Sequence, residues 1–183
     1  MAKAVTIDGR INMGYKAAVI TMSDKGSKGQ RVDTAGPACV EILKNNGWDV
    51  AYVNIIPDDF DIICAELKRC ADELEVTLVI TTGGTGFSQR DITPEATLSI
   101  CDREVRGIPE AMRAASMKIT QMGMLSRASA GLRKNTLIIN VPGSEKAAKE
   151  NLQAVVKPLK HGVEVLIGAS HDCAAIHKGG ENG

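Results

Sequence analysis

Four short runs rich in β-branched residues punctuate the chain: Lys16 to Thr21 (KAAVIT), Val50 to Ile56 (VAYVNII), Val76 to Thr82 (VTLVITT) and Thr136 to Val141 (TLIINV). Most lack a clean polar/apolar alternation, which is the pattern of strands covered on both faces. Between them stand stretches with helix signals. Pro37 to Asn45 stops before Gly47, Phe60 to Glu73 follows the pair Asp58-Asp59, Pro94 to Arg103 starts behind Thr93, and Ser144 to Ile167 is long. The alternation predicts an α/β, three-layer fold: a mostly parallel sheet with helices on both faces. In such folds ligands bind beyond the carboxyl ends of the strands. The loops to read for chemistry are therefore those after Thr21, Ile56, Thr82 and Val141.

At 183 residues and 44% hydrophobic, the chain suits one domain with a sizeable core. We expect an N-terminal extension over 1–14, a single domain over 15–170, and a C-terminal tail over 171–183 whose end, HKGGENG, has the composition of a disordered segment. Lys plus Arg and Asp plus Glu balance at 22 each, and aromatics are only 3%, so neither a basic field nor a stacking surface argues for nucleic acid. The five cysteines are scattered and odd in number, as free thiols in a reducing cytosol would be. No apolar stretch reaches the ~18 residues that span a bilayer, and the first residues lack a signal-peptide core. A cytoplasmic protein without membrane contact is the expectation.

The loop after Thr21 carries Ser23, Asp24, Lys25, Gly26 and Gly29, and ends at Asp33, a natural helix cap. After the second strand come Asp58 and Asp59, of which one can cap the next helix and leave the other free. The third loop is the most informative. Thr82-Gly83-Gly84-Thr85-Gly86 leaves a buried strand directly, and glycines let backbone N–H groups approach an anion. It is not a P-loop, because no Lys-Ser or Lys-Thr follows, and it is not a dinucleotide fingerprint, because Gln89 stands where the third glycine belongs. Behind it, Asp91 and Glu95 flank a helix start formed by Thr93 and Pro94. Both carboxylates favour the helix dipole by ~0.3 to 1 kcal/mol, and both can hold Mg²⁺ beside phosphate oxygens. Pro142-Gly143-Ser144 opens the last helix as a second anion site, and Ser126, Arg127 and Ser129 add hydroxyls and an arginine. Together the four loops predict a pocket for phosphate and metal.

These residues resemble the MoaB/Mog family of molybdenum cofactor biosynthesis, and within it the molybdopterin adenylyltransferases. The resemblance runs from Tyr15 to about Gly168 and rests on ordered motifs: Ser23-Asp24 with Gly29, Asp33 and Gly36-Pro37; Ile56-Pro57-Asp58; Thr82 to Gly86; Arg90 to Thr97 (RDITPEAT); Met124-Leu125-Ser126-Arg127; and Pro142-Gly143. It implies attack of a molybdopterin phosphate oxygen on the α-phosphorus of ATP, with Mg²⁺, releasing pyrophosphate. By the same resemblance Asp58 and Asp91 are the catalytic carboxylates, and Asp91 and Glu95 the metal partners. Ser23, Asp24, Thr82, Gly83, Gly84, Thr85, Gly86, Pro142 and Gly143 would contact ATP, and Ser126, Arg127 and Ser129 molybdopterin. It further implies a homotrimer and hand-over of the product to a molybdenum insertase. The chain departs at Ser144-Glu145-Lys146-Ala147, where adenylyltransferases often carry a second proline and the MoaB branch a serine. The RDITPEAT run points instead to the adenylyltransferase branch. Three rivals remain: a MoaB-type binding protein without efficient transfer, a molybdate insertase, and a metal-binding or scaffold role for His171, Asp172, Cys173 and His177.

Overall fold

The computed structural model describes residues 15–169 and, ahead of them, two short strands, β1 (Thr6–Ile7) and β2 (Arg10–Ile11), which pair antiparallel. The main sheet has six strands: β3 (Lys16–Met22), β4 (Asp49–Ile56), β5 (Leu78–Thr82), β6 (Arg103–Glu104), β7 (Ala130–Arg133) and β8 (Thr136–Val141). Their order is β4-β3-β5-β8-β7-β6, with the first four parallel and β7 and β6 antiparallel at one edge. Six helices complete the layers: α1 (Asp24–Ser27), α2 (Ala35–Asn45), α3 (Phe60–Asp72), α4 (Thr93–Ile100), α5 (Gly107–Met117) and α6 (Glu145–Leu166).

The central strands look uniformly apolar because each of their two faces meets a helical layer. Ala17, Val19, Leu78, Ile80, Leu137 and Ile139 pack with Leu43 of α2, Met112 of α5 and Leu152 of α6. The alternate residues Ala18, Ile20, Val79 and Ile138 pack with Ile63 and Leu67 of α3 and Ala96 of α4. The period of two is intact, and both phases are hydrophobic. Cys39, Cys64 and Cys70 are buried free thiols, and burial pushes Cys39 and Cys70 up to about 12, so both are neutral core hydrophobes.

The topology also places the site. From β3 the chain moves to β4 on one side, then returns across the sheet to β5 on the other side of β3. The loops leaving β3 and β5 therefore diverge toward opposite layers and leave a crevice above their carboxyl ends.

Several boundaries differ from the sequence expectation. Helix α2 begins at Ala35, two residues ahead of Pro37, because Asp33 caps it as its sequence suggested: the N–H groups of Ala35 and Gly36 both donate to its Oδ1 at 3.0 Å. Thr93 does not cap α4. It is the first helical residue, and its buried hydroxyl has no hydrogen-bond partner among the described residues. The helix stops at Ile100, short of Arg103, because Cys101 turns extended. Helix α5, the 3₁₀ turn Gln121–Leu125 and strands β6 and β7 were not expected. The cluster His171, Asp172, Cys173 and His177 lies outside the described residues.

Candidate functional site

The loops after β3 and β4 are stitched together by two aspartates. The Asp24 N–H donates to Asp58 Oδ2 at 3.0 Å, and the Asp58 N–H returns a bond to Asp24 Oδ1 at 3.2 Å. Ser23 caps α1, its Oγ accepting from the Gly26 N–H at 3.0 Å. Asp59 caps α3, accepting from the N–H groups of Asp61 and Ile62, which leaves Asp58 for other work. Arg90 reaches over from the third loop and forks onto Asp24, with Nε at 3.1 Å and Nη2 at 2.9 Å. That guanidinium holds the Asp24 carboxyl below its usual range. Burial, reinforced by the negative charges of Asp24 and Asp91, pushes the Asp58 carboxyl the other way.

The cradle after β5 has a geometry that only glycine fits. Gly83 and Gly84 have φ of +101° and +63°, and a Cβ would fall 2.4 Å from the Met22 carbonyl at the first and 2.2 Å from Thr93 Oγ1 at the second. The Gly83 N–H is spent on the Val141 carbonyl at 3.3 Å. The N–H groups of Gly84, Thr85 and Gly86 have no acceptor among the described residues, so they are the donors left for an anion. The loop after β8 closes on the same point. Thr82 Oγ1 donates to the Pro142 carbonyl at 2.8 Å, and a Cβ on Gly143 would stand 3.0 Å from Gly83 Cα. Ser144 then caps α6 through the Ala147 N–H.

Two clefts meet there. The first, about 340 Å³, is polar and is lined by Thr21, Ser23, Asp33, Asp58, Thr82, Gly83, Gly84, Asp91, Gly143 and Ser144, with Arg31 and Val32 on its far side. The second, about 420 Å³, has a more apolar wall, with Met122, Leu125 and Ala147 beside Thr85, Gly86, Ser126 and Pro142. Gly84, Asp91 and Gly143 line both. Asp91 is therefore the carboxylate on the partition, and the N–H of Ser88 donates to its Oδ2 at 2.9 Å.

Three expected site residues, Glu95, Arg127 and Ser129, line neither of these clefts but share a third, of about 380 Å³. Ser129 is buried, donating to Asn140 Oδ1 at 2.7 Å, and Asn140 donates in turn to Thr81 and Thr97, a polar network beneath the site. Arg127 bonds to Gly86, Asp91 and Glu95, and Glu95 is half exposed in that ion pair. Among the described residues no group of three or more His, Cys, Asp or Glu side chains is placed to hold a metal ion. Of the carboxylates lining the polar cleft Asp33 is committed to Thr21 and the α2 cap, and Asp58 and Asp91 suit a hard cation that completes its shell with substrate oxygens and water.

Residues that the sequence did not mark also line the clefts. Thr21 Oγ1 donates to Asp33 Oδ2 at 2.6 Å and ties the first strand to the α2 cap. Asn151 interrupts the apolar stripe of α6 at a buried position and donates to Ser116 Oγ at 3.1 Å on the wall of the second cleft. A lone asparagine on a core-facing stripe was the available signal.

A family model described as "Probable molybdopterin binding domain" matches residues 18–161. A molybdopterin adenylyltransferase of Helicobacter pylori is 41% identical over 82% of this chain and 86% of its own length. That of Escherichia coli K12 is 38% identical over 76% of this chain and 73% of its own. The solved structure of a molybdopterin biosynthesis enzyme MoaB from Thermus thermophilus is 42% identical and superposes with a TM-score of 0.80, covering 84% of this chain and 97% of that one. Matched to that domain over residues 18–161 and to these relatives over most of its length, this chain belongs to the family of molybdopterin-binding domains of molybdenum cofactor biosynthesis.

Proposed function

We propose that the chain is a molybdopterin adenylyltransferase: ATP and molybdopterin give adenylyl-molybdopterin and pyrophosphate. One observation carries this reading. A polar cleft and a more apolar cleft share Gly84, Asp91 and Gly143, so two substrates of different character meet at one partition. The nucleotide takes the polar cleft with its phosphates against the free amides of Gly84 to Gly86 and the start of α6. Molybdopterin takes the second, beside Ser126. Its phosphate is largely ionised near neutral pH and needs no general base. A phosphate oxygen forms the new bond to the α-phosphorus, and the bond from that phosphorus to the bridging oxygen breaks, with pyrophosphate leaving with the electron pair. Such transfers depend on positioning and charge stabilisation.

Asp91, with Asp58 lining the same cleft, would hold Mg²⁺. The ion supplies charge neutralisation at the transferring phosphorus and the departing pyrophosphate. Asp58 also keeps the β3 and β4 loops in register through its paired bonds with Asp24. We assign Glu95 to Arg127 rather than to the metal, and Ser129 to the network below. A cytoplasmic homotrimer that hands its product to a molybdenum insertase completes the reading.

The second reading, a MoaB-type protein that binds without efficient transfer, is favoured by the equally similar Thermus thermophilus MoaB. The two separate in one assay. Pyrophosphate release that requires ATP, Mg²⁺ and molybdopterin together supports transfer; tight binding of molybdopterin with no release supports the second reading.

A further inference from the structure

The sequence directs Arg127 at a substrate phosphate, yet three of its five N–H donors, one on each nitrogen, are committed within the protein. Nε donates to the Gly86 carbonyl at 2.6 Å, Nη2 to the Asp91 carbonyl and Nη1 to the Glu95 carboxylate, while its backbone N–H donates to the Thr85 carbonyl at 2.9 Å. Only a third of the side chain is exposed, and Arg127 lines neither of the two clefts that share Asp91 but a third, of about 380 Å³, together with Glu95 and Ser129. The stretch from Gly84 to Asp91 is otherwise held by short-range bonds, Thr93 N–H to the Gly84 carbonyl at 3.2 Å and the exchange between Ser88 and Asp91 at 2.9 Å, and by the fork of Arg90 onto Asp24 near one end. Arg127 is the side chain from a distant part of the sequence that grips both ends of this loop. A planar fork with fixed donors suits that task, and an ammonium cannot reproduce it.

We propose that Arg127 is a positioning residue that fixes the Asp91 loop at the partition of the two clefts, with Glu95 as its counter-charge, and that it is not a molybdopterin ligand. The assignment rests on the adenylyl-transfer reading for its catalytic consequence, but not for its structural one. Because Ser126, its neighbour, lines the second cleft, the same residue links that wall to the carboxylate on the partition.

The test compares the parent chain with Arg127→Lys and Glu95→Gln. Amide hydrogen exchange across 84–91 speeds up in both variants while the sheet keeps its protection. With ATP, Mg²⁺ and molybdopterin, kcat of Arg127→Lys falls by about 10- to 100-fold, the range for outer partners of a metal site, and the Mg²⁺ needed for half-maximal rate rises. KM for molybdopterin stays within about threefold, since no direct hydrogen bond to substrate is lost. Glu95→Gln, which keeps the side-chain length, moves both readouts the same way by less, and the double variant is not additive. Exchange unchanged in both variants overturns the proposal, as does a tenfold rise in KM for molybdopterin with kcat preserved. A parent chain without turnover sinks the adenylyl-transfer reading alone, and the exchange result then still decides the role of Arg127.

Discussion

The two clefts that meet at Gly84 and Asp91 are built by different parts of the fold. The first is made from the ends of parallel strands, where β3, β5 and β8 all stop at the same edge and each following loop carries glycine. The second is made largely from the long connection between α4 and β7, where α5 and the 3₁₀ turn Gln121–Leu125 supply Ser116, Thr120, Met122 and Leu125. The first offers fixed amides and carboxylates and suits charge. The second offers an apolar wall with a few hydroxyls, and Met122 on it is 70% exposed. On the adenylyl-transfer reading, the edge of the sheet would provide the chemistry and the connection the surface that selects the partner substrate.

Breaking the shared wall should have the largest effect. Asp91→Asn lowers kcat by about 100-fold or more, because a metal partner is worth several kcal/mol of transition-state stabilisation. Steady-state pyrophosphate release checks this, and turnover within a few-fold of the parent removes Asp91 from the metal site. Gly84→Ala strikes the same partition through the backbone. With φ at +63° and Thr93 Oγ1 where the Cβ would go, it destabilises the protein by roughly 1–3 kcal/mol and weakens nucleotide binding. Denaturant unfolding and nucleotide titration measure the two parts; a stable variant with full nucleotide affinity contradicts the cradle.

Ser126→Ala sharpens the contrast from the other side. It raises KM for molybdopterin by about tenfold, the value of one hydrogen bond to a charged group, and leaves nucleotide affinity unchanged. An equal loss of nucleotide affinity means the two clefts are not separate subsites.

The smallest expected effect is on stability. The folded Asp58 carboxyl titrates above its ordinary value, so its contribution is full at pH below the unfolded value and is lost as pH rises through the folded one. At neutral pH the ionised form is a cost, so Asp58→Asn, which keeps an acceptor for the Asp24 N–H, melts at the same temperature or up to about 2–4 °C higher while losing activity. The gap closes on acidification through the carboxylate range. A variant that melts lower at neutral pH refutes this description of Asp58.

The difference between the clefts is also a difference in what could be read from the chain. The four central strands and their helices were legible because both phases of each strand are apolar and turn residues bracket them. That one of Asp58 and Asp59 caps the next helix and leaves the other was legible from spacing, and the structure gives the cap to Asp59. Thr93 misled, because a threonine before proline matches a cap signature, and only the packing of its hydroxyl against Gly84 shows otherwise. The connection around α5 was missed because its apolar residues are split between core and surface: Met112 is buried, while Met117, Ile119 and Met122 are exposed. Arg127 and Ser129 entered as molybdopterin contacts through the family resemblance, which does not reveal that the arginine spends a donor from each nitrogen on the protein or that the buried serine hydroxyl is bonded to Asn140. The antiparallel edge was illegible for a simpler reason. β6 has two residues and β7 four, too short for a period to show.

The most direct test is a crystal structure of the chain with a non-hydrolysable ATP analogue and Mg²⁺. The expected result has phosphate oxygens on the amides of Gly84 to Gly86, the α-phosphorus facing the second cleft, and Asp91 on the metal. Nucleotide bound away from the β3 and β5 carboxyl ends, or phosphates that leave Gly84 and Asp91 untouched, would contradict it.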